Sequence, residues 1–96
     1  MAAYAVIDVL VKDPERYKEY MRQGAPTILK YGGRPLVRGG KVEVMEGDWQ
    51  PRRVIIIEFQ DMPALKRWWN SPEYAEAKKL RLGAAEANVA FVEGIE

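Results

Sequence analysis

The ten residues Tyr31-Gly32-Gly33-Arg34-Pro35-Leu36-Val37-Arg38-Gly39-Gly40 constrain this chain more than any other stretch. A short apolar segment sits between two glycine pairs, and each pair has an arginine beside it. Glycine adopts backbone conformations that a side chain forbids. The two pairs therefore predict a strand with a tight entry and a tight exit. The arginines place fixed positive charge on that strand, and the acidic strand Ile55-Ile56-Ile57-Glu58-Phe59 could answer it.

Ninety-six residues make one domain, spanning 1–96. So short a chain has a thin core. Yet 48% of it is hydrophobic, with three Trp and five Tyr, which predicts apolar surface buried against a second copy. The net charge is +1, from 15 basic and 14 acidic residues that are interspersed. No basic stripe marks a nucleic-acid partner, and Lys78-Lys79-Leu80-Arg81 reads as a solvated helix face. The apolar run Val54 to Ile57 is too short to cross a membrane. The first residues show no signal-peptide pattern, and a cytoplasmic location is expected.

Cysteine and histidine are both absent. Disulfides, thiolate nucleophiles and Cys-based metal sites are excluded. So are the usual neutral-pH base and the usual ligands of haem, zinc and non-haem iron. A magnesium site built on carboxylates alone has no suitably spaced acidic cluster. No cofactor or metal is expected, and any chemistry must use carboxylates, Tyr, Lys, Arg or backbone amides.

Along the chain, Ala3 to Val11 alternates as a strand that is apolar on both faces except at Asp8. Asp13-Pro14-Glu15 starts a helix with a cap, a first-position proline and an acid at the positive dipole end. Tyr17, Tyr20, Met21, Ile28 and Tyr31 fall near one face of it. Pro26 is expected to kink or restart this helix, and Gly32-Gly33 to end it. Arg34 to Val44 reads as a strand with a glycine bulge at Gly39-Gly40, Glu46 to Pro51 as a turn, and Arg53 to Phe59 as a strand. Asp61-Met62-Pro63 starts a second helix. Ser71-Pro72 breaks it and starts a third, whose end Gly83 weakens. Asn88 to Glu93 is a last strand. The resulting α+β order, βαββαβ, is ferredoxin-like: a four-stranded antiparallel sheet with its helices on one face. The other face would be a large exposed apolar patch unless two copies pair through it.

Strand alternation groups Tyr4, Val6 and Asp8, then Arg34, Leu36 and Arg38, then Val54, Ile56 and Glu58. If these sets share one sheet face, Asp8, Arg38 and Glu58 converge. An arginine between two carboxylates could anchor an anion or a carbonyl group, with a desolvated carboxylate as base. It could equally be a structural ion pair. Trp68, Trp69 and Tyr74 flank the Ser71 break and either wall a ligand or fill the core; Trp68 is the better core candidate. Tyr4, Tyr17, Tyr20 and Tyr31, if functional, would hold a substrate oxygen rather than ionise, but a place in the core is the simpler expectation for them. Arg81 either bridges to Glu73 or Glu86 or reaches a pocket, and the bridge is the simpler expectation.

Taken together, Tyr31-Gly32-Gly33-Arg34, Arg38-Gly39-Gly40, Glu46-Gly47-Asp48-Trp49, Ile57-Glu58-Phe59, Trp68, Ser71-Pro72-Glu73-Tyr74 and Arg81 resemble the signature of the family called domain of unknown function 1330. That family resembles the dimeric α+β barrel group of cofactor-free monooxygenases, haem-degrading enzymes, muconolactone isomerases and stress-responsive proteins. The resemblance implies a homodimer of ferredoxin-like subunits and no particular activity. Asp8 stands where the family pattern often has a histidine or a neutral residue, so no imidazole role carries over. The functional expectation is a small-molecule-binding dimer acting, if at all, by cofactor-free chemistry on an anionic or carbonyl compound. In it Asp8 and Glu58 are the catalytic candidates, and Arg38, Tyr4, Arg34, Trp68 and Tyr74 the ligand-binding ones. The alternative is a structural or stress-associated dimer with a packed interior. A charged cavity between the two sheets would favour the first.

Overall fold

A computed structural model describes residues 1–95. The strands are β1 (Ala3–Val11), β2 (Arg34–Arg38), β3 (Arg53–Phe59) and β4 (Ala85–Glu93), and the helices are α1 (Pro14–Lys30), α2 (Met62–Trp69) and α3 (Pro72–Ala84). The sheet is antiparallel throughout, in the order β2-β3-β1-β4. The chain thus has the ferredoxin-like fold its patterning predicts, with the second helical segment split in two. Among the described residues no helix is long and apolar enough to cross a membrane.

Each helix begins where its cap dictates. The Asp13, Asp61 and Ser71 side chains accept from the amides of Arg16, Ala64 and Tyr74, and a proline follows one or two positions on. Helix α1 ends in a paired cap. Gly33 N donates to Ile28 O and Gly32 N to Leu29 O, with Gly32 at φ 83°.

Three boundaries differ from the sequence reading. Helix α1 runs unbroken through Pro26. The ring removes one bond, but it lies on the exposed face, where water can satisfy the freed Arg22 carbonyl. Strand β2 stops at Arg38 rather than Val44, because Gly39 turns at φ 75° and its amide closes onto Val54 O. The bulge falls at Leu36, between Pro35 and Val37, not at the glycines. Strand β4 starts at Ala85, directly after α3, with the Ala84 carbonyl clamped by the amides of Lys12 and Asp13.

The core lies between the sheet and the helices. Ala3, Ala5, Ile7 and Val9 of β1 point into it, as do Ile57 and Phe59 of β3. Trp68 is its centre. Its ring stacks on Phe59 at 5.5 Å and lies 4.3 Å from Tyr74. Trp69 points elsewhere, edge-on to Phe91 with the Lys78 ammonium over its ring.

The opposite sheet face carries no helix. Register places Val37, Ile56, Val6 and Ala90 in one apolar row across all four strands. Polar rows flank it. Arg34, Glu58 and Tyr4 lie on one side, Asp8 and Asn88 on the other.

Candidate active site

The expected meeting of Asp8, Arg38 and Glu58 does not occur. Asp8 and Glu58 share the open face, but Tyr4 pairs with Glu58 and Asp8 with Val54. Four residues along a strand separates the carboxylates by about 13 Å. Arg38 lies on the other side of the sheet, opposite Ile55, because the extra residue at Leu36 reverses the alternation. Arg34 takes the place assigned to Arg38. Its Nη2 donates to Glu58 Oε1 at 2.7 Å, while the Tyr4 hydroxyl donates to Oε2 at 3.2 Å. Asp8 accepts from the Arg52 amide at 3.0 Å and from Trp49 Nε1 at 3.3 Å. The Arg52 amide, more than any other group, holds the Asp8 carboxyl below its ordinary range. Such a carboxylate is a poor base; it straps the loop after β2 onto the sheet. A hollow of about 260 Å³ lies beneath Trp49, but Asp8, the one charged group lining it, is already bonded.

The unsatisfied chemistry lies under the helices. A cavity of about 60 Å³ separates the sheet from α1 and α3, with Tyr17, Tyr20, Tyr74, Arg38 and Arg81 among its lining residues. It has room for roughly four waters, or for a ligand of about as many heavy atoms. Arg81 is only 6% exposed. Among the described residues its guanidinium joins no ion pair. The bridges expected for it are taken by other groups. Glu73 binds Lys30 and Tyr31, and Glu86 binds Lys12.

The tyrosines complete the wall. The Tyr20 and Tyr74 hydroxyls lie 3.0 Å apart and bond to each other. The Tyr17 hydroxyl is buried and has no partner. Burial pushes the Tyr17 and Tyr20 phenols up from their ordinary value, so both stay protonated and available as donors. No carboxylate lines the cavity. Its polar lining therefore suits an acceptor-rich, negatively charged guest. Of the ligand-binding candidates, Tyr74 and Arg38 reach this cavity, Tyr4 and Arg34 lie on the open face, and Trp68 is in the core. Among the described residues no group of acidic side chains is placed to hold a metal ion.

Sequence reasoning preferred a surface bridge for Arg81 and a core place for Tyr17, and did not bring the two together in one cavity. The signal was present: Tyr74, Ala77, Arg81 and Ala84 repeat at helical spacing, and all four are buried. An arginine on such a stripe must enter the core.

The fold is shared with solved structures. A protein of unknown function from Rhodopseudomonas palustris is 20% identical, with a TM-score of 0.81, 99% of this chain covered and 83% of that one. SnoaB, a cofactor-independent oxygenase from Streptomyces nogalater, is 14% identical with a TM-score of 0.73, and 99% and 94% are covered. A dimeric ferredoxin-like protein of unknown function from Jannaschia sp. CCS1 is 14% identical with a TM-score of 0.72, and 98% and 100% are covered. No curated protein matches the sequence. The family profile described as Domain of unknown function (DUF1330) matches residues 2–95, and the chain belongs to that family.

Proposed function

We propose that this protein is a homodimer that binds a compact organic anion in the cavity between sheet and helices. The guest is a carboxylate, or the enolate of a carbonyl compound. Arg81 is its anchor, and the buried phenols orient it. The observation that carries this reading is the burial of Arg81 with no counter-charge among the described residues. An isolated buried cation is costly, and a site that keeps one stores binding energy for an anion. Arginine is suited to the task because its fork matches a carboxylate in two-pronged geometry.

The cavity holds negative charge but offers no carboxylate base. Chemistry there would rest on stabilising an oxyanion or enolate in a dry, donor-rich pocket. Cofactor-free reaction of such a species is compatible with the fold, as the oxygenase from Streptomyces nogalater illustrates. The dimer forms through the open sheet face. The row Val37, Ile56, Val6 and Ala90 supplies an apolar contact, and the dimeric neighbour of the same fold supports pairing as such. A cytoplasmic location accords with the lack of cysteine.

The test is calorimetric titration of the purified protein with propionate and with pyruvate. Binding of either to the wild type, lost in Arg81→Met while the circular dichroism stays unchanged, supports the reading. Absence of binding to both, or equal binding by the variant, refutes it.

A further inference from the structure

The mouth of the cavity carries a second unmet demand. A groove of about 370 Å³ lies between the start of α1 and the ends of β1 and β3. It shares Tyr17 and Met21 with the inner cavity, so Tyr17 stands between the two spaces. Arg53 also lines this groove, with its guanidinium 6.0 Å from the Tyr17 ring centre. Two buried polar side-chain atoms among the described residues have no hydrogen-bond partner: the Tyr17 hydroxyl and Arg53 Nε. They belong to neighbouring side chains. Arg53 lies near enough to oppose the upward push on the Tyr17 phenol, yet no well-formed bond joins them. An acceptor oxygen between the two would satisfy both.

The charge around them is equally one-sided. Arg38, Arg53 and Arg81 border the connected spaces, and none has an acidic partner among the described residues. Arg53 is set in place by Gly39. A Cβ there would sit 2.6 Å from Arg53 Nη1, so only a glycine lets the guanidinium lie against that turn. Buried Arg81 and half-buried Arg53, in spaces that adjoin at Tyr17, each favour a negative charge of their own.

We infer that the ligand is a short dicarboxylate, one end held by Arg81 inside the cavity and the other received at its mouth by the Tyr17 hydroxyl and Arg53 Nε. This rests on the anion-binding reading above and specifies its substrate class. The apolar walls between the two ends, among them Ile55 and Val9, suit the methylene link of such a compound.

Titration calorimetry at constant ionic strength tests this with malonate, succinate and glutarate against the monoacids propionate and butyrate. At least one dicarboxylate is expected to bind wild-type protein tenfold or more tightly than either monoacid. Tyr17→Phe, which removes no charge, should erase that preference by lowering diacid affinity more than monoacid affinity. Arg53→Met should do the same, as a second variant in case the first misfolds. Equal affinity for diacids and monoacids in the wild type overturns the two-ended ligand and leaves the Arg81 anchor standing. So does a preference that survives both variants. Failure of every acid to bind removes both ideas together.

Discussion

The Trp68 indole Nε1 donates a 3.0 Å hydrogen bond to the Thr27 hydroxyl, tying the central ring of the core to the last turn of α1. The same hydroxyl donates to Gly24 O at 2.6 Å. Both residues are buried, so the indole N–H has no recourse to water. Thr27→Val keeps the shape and removes the acceptor. It is expected to cost about 1–3 kcal/mol, the usual penalty for orphaning a buried donor. Urea unfolding at fixed protein concentration measures it; an unchanged midpoint would show that the bond is idle.

Gly32 and Gly33 should respond oppositely to asparagine. At Gly32 the backbone is left-handed, φ 83°, and nothing lies within 4 Å of an added Cβ. Gly32→Ala should cost about 1 kcal/mol from backbone strain, and asparagine, which tolerates that region, should recover part of it. At Gly33 an added Cβ falls 2.5 Å from Phe59 Cζ and 2.7 Å from Ile28 Cγ2. There alanine should cost about 1–3 kcal/mol from overpacking, and asparagine more. Thermal melts of the four variants separate strain from crowding.

Arg81→Met should leave the ligand-free protein as stable as the wild type or more so. Replacing a buried cation that lacks a counter-ion by an apolar chain removes a desolvation cost, as is usual where function is held at the expense of stability. A loss above about 2 kcal/mol, the scale of a core defect, would instead give Arg81 a structural role. The comparison is made by urea unfolding in buffer free of carboxylates.

Acid should weaken this protein partly through the surface ion pairs of Glu19 and Glu73, each effect kept small by solvent screening. The hydrogen bonds from Arg22 and Lys30 respectively are the largest cause in each case, and both carboxyls are pulled from 4.5 down to about 2. A depressed folded pKa gives stability that is complete above 4.5 and drains as pH falls toward 2. Stability should therefore be flat from pH 7 to 5 and fall steadily below 4.5. Glu73→Gln should lower the plateau and shallow the slope. Urea midpoints between pH 2.5 and 7 report both.

Val6→Lys should split the dimer. Val6 is the middle of the apolar row, 37% exposed in the single chain. A charge there cannot be buried against its own copy across a two-fold axis. Sedimentation should give a dimer for the wild type and an 11.0 kDa species for the variant. A wild type that sediments as a monomer at micromolar concentration would leave the open face without an occupant.

The fold was legible because its signals are local. Three helix starts each announce themselves by an acid or serine and a proline, and β1 and β3 by apolar, β-branched runs of seven or more residues. The open-face trio was misread because alternation counts residues and Leu36 is one too many. No residue type marks that bulge; it is settled by where Arg34 and Val37 find partners on β3. Pro26 misled for the converse reason, since a rule about helix interiors says little about a ring on the wet side. Tyr74 was assigned to ligand or core; it is buried in the core and also lines the cavity. Arg81 and Tyr17 could have been found by following helical spacing strictly. Arg53 could not, because its placement depends on the turn at Gly39, far from it in the chain.

The additional residue at Leu36 has an electrical result. Were β2 regular, the Arg38 cation would emerge beside Arg34, Asp8 and Glu58, among acids that could neutralise it. Shifted by one position, it passes through the plane of the sheet to the edge of a cavity lined by a second arginine and no acid. One inserted amino acid thus moves a cation away from acids that could neutralise it and lends the interior space an appetite for anions.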